Sequence, residues 1–371
     1  MKIFFSAGDA SGDVNTAKII AKLKQKYPDI RFGGLGGPAM KKEGFTGDFE
    51  FSKFNKMGYW EVLKNLLFFF MSQKKFIKKM KDEKPDVLVC VDFSGFNKKL
   101  VVEANKKNIK VLWFIAPMIW VWKKEKYIKF FQKHKAHIAC IFPFEPNHWK
   151  PRINSVSFVG NPLLENFDYF SLPKKTQGDL QKNFTLALIP GSREQEVKKM
   201  LPFMINCALI LKKTYENIRI IISKTAYIPE NLYETANKSF EFEADFNKIL
   251  QTASAALVTS GTASLQIGLA AIPHIVLYKT SPLSYFIYKA VIRKREIVIG
   301  LSNIVAEKRI VTEFIQDKMI TENVVTALKK LIENSEEYEK IARDLQNLRF
   351  LFGNKKTSEE IVKLIAEMVD E

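Results

Sequence analysis

Short apolar runs recur along the chain, each followed by small or polar residues and then by apolar positions at helical spacing. Lys2–Ser6, Arg31–Leu35, Asp86–Val91, Lys110–Ile115, Ala136–Phe142 and Ser155–Val159 form a first series of such runs. Leu186–Ile189, Ile218–Ile222, Ala255–Val258 and His274–Leu277 form a second. Runs that are apolar throughout, rather than alternating, suit parallel strands buried on both faces. Between them lie amphipathic segments, such as the one carrying Ala17, Ile19, Ile20 and Leu23, and Thr262–Ala271. The pattern predicts an α/β protein with two successive βα series. The stretch SLPKKTQGDLQKN at 171–183 is polar, contains Pro and Gly and lacks a core period, which predicts an interdomain linker. The expected division is 1–170, the linker 171–183, 184–320, and a charged helical segment 321–371.

One helical pattern is unusual. From Gly58 to about Lys81, Val62, Leu66, Phe69, Gln73, Phe76, Ile77 and Met80 share one stripe, enough to dock a helix on a sheet. Leu67, Phe68 and Met71 then fall on the opposite side, among Lys64, Lys74, Lys75 and Lys78. Apolar tips ringed by lysine stems suit a helix that dips into an anionic bilayer surface. A subunit interface or a covering helix is the other reading of the same face.

Charge changes the picture further. The 371 residues carry 58 basic and 40 acidic side chains, a net of +18, which points to an acidic partner: nucleic acid, an anionic membrane or phosphorylated substrates. The lysines are scattered along helical stretches and no nucleic-acid motif is present, so nucleic acid is not expected. Cys90, Cys140 and Cys207 are far apart in apolar runs and read as small core residues of a reducing compartment. His134, His137 and Cys140 have a metal-like spacing but no fourth ligand. With no signal peptide and no apolar segment near the ~18 residues of a membrane span, the expected place is the cytoplasm or a membrane surface.

The stretch LALIPGSREQEVKKMLP at 186–202 reads as strand, tight turn and helix. Its first helical turn offers free N–H groups and the positive end of the helix dipole to a phosphate, with Gly191, Ser192 and the fork of Arg193 beside it. Capping by Ser192 and Glu196 is the competing reading. Ser260-Gly261-Thr262 repeats the strand, small-residue turn and helix start, so the two turns could hold both ends of a nucleotide diphosphate. The small-residue loop Ala7–Asp13 follows the first strand, and Asp92 follows Asp86–Val91. Ligands of open α/β sheets bind outside the carboxyl ends of strands, so Asp92 is placed for chemistry; an N-cap is its alternative role. Trp120 and Trp122 read equally as a ligand wall or as core.

These residues resemble the lipid-A-disaccharide synthase family nearly end to end. The resemblance is carried by Ala7–Asp13, Met57-Gly58 with Glu61-Val62, Lys84-Pro85-Asp86-Val87, Asp92 with Phe96-Asn97, Pro117 with Trp120 and Trp122, Pro143-Phe144-Glu145, Pro190–Arg193 with Glu196-Val197, and Ser260–Ala263. It implies a GT-B-type fold, two doubly wound Rossmann-like domains facing a cleft, and a C-terminal segment exchanged between the subunits of a homodimer. The implied reaction joins UDP-2,3-diacylglucosamine to 2,3-diacylglucosamine 1-phosphate with inversion and release of UDP, at the cytoplasmic face of the inner membrane of a Gram-negative bacterium. In that light Asp92 is the expected catalytic base. Gly191, Ser192, Arg193, Ser260, Gly261, Thr262, Gln266 and Asn303 are expected at the donor, Ser11, Gly12, Asp13 and Asn97 at the acceptor, and Leu67, Phe68 and Met71 at the membrane. With no Asp-x-Asp pair, no metal or other cofactor is expected. The chain departs from the family pattern at Asp9, Gly95, Asn161 and Gln266, where Glu, Asp, His and Glu are usual. The alternatives are a UDP-sugar epimerase of the same fold and a decayed homologue that binds UDP-sugar or lipid without turnover.

Overall fold

The computed structural model describes residues 1–47, 49, 66–120, 124–173, 184–225, 228–234, 240–279 and 298–370. They form two compact units, one of residues 1–166 with 354–371 and one of residues 167–353.

The first unit is built on a parallel sheet of β1 (Lys2–Ala7), β2 (Arg31–Leu35), β3 (Val87–Val91), β4 (Lys110–Phe114), β5 (His137–Cys140) and β6 (Val156–Phe158), in the order β2-β1-β3-β4-β5-β6. Its helices are α1 (Ala10–Lys26), α2 (Pro38–Lys42), α3 (Leu66–Glu83), α4 (Ser94–Asn105), α5 (Lys124–Lys133), α6 (Glu145–Trp149) and α7 (Pro162–Asn166). Strand residues alternate between two cores because successive side chains leave opposite faces. Phe4, Leu88, Cys90 and Trp113 join Phe76 and Phe96 on one side, and Ile3, Phe5, Val89 and Phe114 join Ile19, Ile20 and Leu23 on the other.

The second unit carries β7 (Thr185–Ile189), β8 (Arg219–Ser223), β9 (Glu241–Glu243), β10 (Ala255–Thr259), β11 (His274–Tyr278) and β12 (Thr312–Ile315), ordered β12-β11-β10-β7-β8-β9. The intervening helices are α8 (Glu194–Thr214), α9 (Phe246–Thr252), α10 (Thr262–Leu269), α11 (Leu301–Ala306), α12 (Thr321–Glu333) and α13 (Ser335–Leu351). The two edge strands β9 and β12 are absent from the apolar pattern: each is short and carries acidic residues.

The last stretch does not stay together. α12 and α13 pack within the second unit, whereas α14 (Thr357–Asp370) lies against α1 in the first. Ile361, Val362 and Ile365 of α14 complete the core beside Ile19 and Leu23, and the Ser358 N–H donates to Glu165 Oε2 at 3.0 Å. All three cysteines are buried thiols. Among the described residues no helix is long and apolar enough to cross a membrane. Most of the expected linker 171–183, Trp122, and the part of the amphipathic helix before Leu66 lie outside the described residues.

Candidate functional site

In each sheet the chain reverses its direction of growth once, between β1 and β3 and between β7 and β10. Loops that leave the carboxyl ends of two such strands in opposite directions open a crevice. In the first unit those loops carry Gly8-Asp9 and Asp92-Phe93; in the second they carry Pro190–Arg193 and Ser260-Gly261.

Asp92 directly follows β3 in a left-handed conformation (φ 42°), and so does Phe93 (φ 45°). Its N–H donates to Phe114 O at 2.9 Å, which ties it to the end of β4. Asp92 is an exposed residue by surface area, yet protein crowds its carboxyl. That desolvation first, and the nearby charge of Asp9 second, push its pKa up to about 6, against the Phe93 N–H that favours the anion. Asp9 is the N-cap of α1, accepting from Gly12 N at 2.6 Å and from Ser11 Oγ at 3.0 Å. Gly95, at the start of α4, faces open space apart from the Phe69 ring.

Two residues expected at the acceptor prove to be fully used by the fold. Asp13 is buried and accepts from Gly37, Ala39 and Met40 N–H at 2.8, 2.9 and 3.0 Å, so it fastens the start of α2. Asn97 is buried, accepts from Ser6 Oγ at 2.6 Å and donates to Asp92 O at 2.8 Å. It therefore holds the Asp92 backbone in place. Ser11 remains exposed, and Gly12 is buried at the start of α1. Asn161 is also internal, donating to Ile141 O at 3.1 Å and accepting from Leu163 N at 3.1 Å.

In the second unit Gly191 has a φ of +115°, and a Cβ there would overlap the Glu196 carboxylate. Glu196 Oε2 accepts from Ser192 N at 3.1 Å and Arg193 N at 3.3 Å, so Glu196 does cap the turn, but the N-cap residue of α8 is Arg193 rather than Ser192. The Arg193 side chain is 81% exposed and makes a 3.5 Å ion pair to Glu196. Ser260 donates its hydroxyl to Ile299 O at 2.8 Å, leaving Gly261 and Thr262 exposed at the start of α10. Gln266 is half-buried beside the Tyr169 phenol, whose pKa burial raises to about 12.

Asn303, expected near the donor, is buried and saturated. Its amide donates to Val311 O at 2.9 Å and Glu313 Oε1 at 2.7 Å, and its oxygen accepts from Ile310 N at 2.7 Å and Val311 N at 2.9 Å. This is a brace between α11 and β12, with no donor or acceptor left for a ligand.

On α3 the stripe Phe69, Gln73, Phe76, Ile77 and Met80 is buried as expected. The outer face differs by one residue: Leu67, Phe70 and Met71 are exposed at 74%, 49% and 60%, while Phe68 is half-buried and packs against the core. Positions 67, 70, 71, 74, 75 and 78 repeat at the three- and four-residue spacing of one face, and the last three are exposed lysines.

Glu145, the last residue of Pro143-Phe144-Glu145, is 1% exposed, and burial raises its pKa to about 7 against the hydrogen bonds it accepts from Phe142, Trp120 and Ile141. A buried acid at the start of a short helix is legible in sequence only as a Glu beside apolar neighbours, which is no signal by itself.

The sequence model of the family described as "Lipid-A-disaccharide synthetase" matches residues 3–369. A lipid-A-disaccharide synthase of Sulfurihydrogenibium sp. is 30% identical, over 100% of this chain and 98% of that protein. Among solved structures, S. aureus MnaA in a co-structure with UDP superposes with a TM-score of 0.66 at 14% identity, covering 100% of this chain and 98% of that one. The calicheamicin glycosyltransferase CalG4 gives a TM-score of 0.60 at 13% identity, with the same coverage of 100% and 98%. At these identities the two structures speak for the fold, and the sequence relatives for the family.

Proposed function

The chain belongs to the lipid-A-disaccharide synthetase family, and from that premise we propose that it condenses UDP-2,3-diacylglucosamine with 2,3-diacylglucosamine 1-phosphate, releasing UDP. Its fold is of the GT-B type and its activity is glycosyl transfer in lipid A biosynthesis. In the proposed step an acceptor hydroxyl attacks the anomeric carbon of the donor sugar. Asp92 takes the hydroxyl proton as the new C–O bond forms, and the bond to the diphosphate breaks on the opposite face, which inverts the anomeric carbon. UDP leaves with the electron pair.

The second unit is proposed to hold UDP. Arg193 and the starts of α8 and α10 meet the charge that grows on the leaving diphosphate, and Gln266 meets a ribose hydroxyl. No metal or other cofactor enters this reading. Ser11 and Gly12 at the start of α1 are proposed to face the acceptor, with Asp13 and Asn97 bracing that edge. The protein is proposed to work as a homodimer on the anionic inner face of the inner membrane, reached through Leu67, Phe70 and Met71 with the adjoining lysines.

What supports the reading most is Asp92: an acid with its pKa near 6, at the carboxyl end of β3 where the strand order reverses. Thin-layer chromatography of radiolabelled product, comparing wild type with Asp92→Asn and Arg193→Ala, tests it. A disaccharide formed by wild type and lost in Asp92→Asn supports the base. A folded, UDP-binding wild type that forms none returns the decayed homologue.

A further inference from the structure

Glu145, at the start of α6, uses both carboxyl oxygens. Oε2 accepts from Ile141 N at 3.1 Å and Phe142 N at 3.0 Å, and Oε1 accepts from Trp120 Nε1 at 3.2 Å. A buried carboxylate is costly to desolvate and survives where hydrogen bonds surround it. These bonds join the loop after β4 to the loop after β5. Around them sits an aromatic group: Trp120 meets Phe144 edge-on at 5.3 Å and Phe142 at 6.4 Å, and Phe142 stacks with Phe144 at 5.7 Å. Trp120 is half-buried and Met118 is 44% exposed, so the group keeps an apolar side toward solvent.

The pinned loop begins next to Asp92, whose N–H donates to the last carbonyl of β4. Neighbouring strands lie about 4.8 Å apart, which puts the end of β5 roughly 10 Å from the end of β3. That is beyond a sugar ring held at Asp92 and within reach of an acyl chain carried by that ring. We propose that Glu145 is a positioning residue that fixes Trp120 as an apolar wall for the acyl-bearing acceptor sugar. The proposal rests on Asp92 being the base at the acceptor. Glutamine could not replace Glu145, because its one carbonyl oxygen cannot accept from both sides and its NH2 would face a donor.

The test is titration of a short-chain 2,3-diacylglucosamine 1-phosphate, with UDP as a separate ligand, into wild type, Trp120→Phe, Glu145→Gln and Asp92→Asn, alongside acceptor KM and kcat. Trp120→Phe keeps an aromatic ring at this position while losing the N–H and the five-membered half of the indole, so it guards against the folding defect that a deletion of the whole ring would bring. Both Trp120→Phe and Glu145→Gln should bind acceptor roughly five- to tenfold more weakly, the size of one lost aromatic contact, with UDP affinity unchanged. Acceptor KM should rise in parallel while kcat holds. Unchanged acceptor binding in both variants, or no acceptor binding by wild type, overturns the proposal. Wild type that binds acceptor yet forms no disaccharide would return the decayed homologue, and an active Asp92→Asn would remove the base assignment alone; in both cases the wall is still read from the two binding constants.

Discussion

The Glu196 carboxylate sits on the backbone N–H groups of Ser192 and Arg193, at 3.1 and 3.3 Å, the groups that a diphosphate would use. An anion already seated there competes with the ligand. Replacing it with an amide keeps the size and removes the charge, so Glu196→Gln should bind UDP more tightly than wild type by calorimetry. Weaker binding would mean that the carboxylate holds the turn open for phosphate rather than blocking it. Glu196→Ala should in addition lose about 1 kcal/mol of stability, the size of a lost helix cap.

Arg193 contributes little to the fold. Its side chain is 81% exposed and its ion pair with Glu196 spans 3.5 Å, an arrangement worth at most ~1 kcal/mol. Arg193→Ala should melt within a degree or two of wild type but bind UDP roughly 10- to 100-fold more weakly, the loss of about 1.5–3 kcal/mol for a charged hydrogen bond. Equal UDP affinity would take Arg193 out of the donor site.

Asp92 sets a pH profile. A base works ionised, so kcat/KM should rise with pH through about 6 and level off above it. Because the folded pKa is raised, Asp92 favours the fold in its protonated form, and that contribution is lost as pH climbs from the unfolded value toward 6. Asp9→Asn keeps a capping side chain and removes the second cause of the shift, so the acid limb should move to lower pH while staying above an ordinary Asp. Asp92→Asn is the informative variant for activity: Asn tolerates a φ of 42°, whereas Ala pays the left-handed strain. It should be inactive and fully folded in the chromatographic assay and by circular dichroism.

Asn303 predicts a stability defect in place of a binding defect. Removing its amide in Asn303→Ala leaves Ile310 N, Val311 N and Val311 O buried without partners. The expected cost is about 2–4 kcal/mol in denaturant unfolding, with the UDP affinity of the folded protein unchanged. Normal stability with lost UDP binding would restore Asn303 to the donor site.

Leu67→Ser, Phe70→Ser and Met71→Ser combined should abolish co-sedimentation with anionic liposomes without lowering the melting temperature, because all three side chains are exposed. Phe68→Ser should instead lower the melting temperature, since Phe68 is half-buried against the core. Unchanged sedimentation of the triple variant would point to another membrane contact.

Read alone, the chain determined its α/β character, two parallel βα series and the positions of the turns. Continuous apolar runs such as Val87–Val91 and Leu186–Ile189 encode buried strands within a few residues, and Gly191 and Asp92 mark the breaks after them. Period and turn chemistry are local properties, so they survive in the sequence. Edge strands escape this rule: Glu241–Glu243 and Thr312–Ile315 are fixed by pairing with β8 and β11 rather than by their own pattern. Packing also decided that the residues after Thr321 part company, two helices staying in the second unit and Thr357–Asp370 closing the core of the first. Polar roles were the least legible. Asp13 meets Gly37 and Met40, Asn303 meets Ile310 and Glu313, and Glu145 meets Trp120. Whether a polar side chain serves a ligand or the fold depends on which donors and acceptors the tertiary structure brings within about 3 Å of it, and residue type and spacing leave that open.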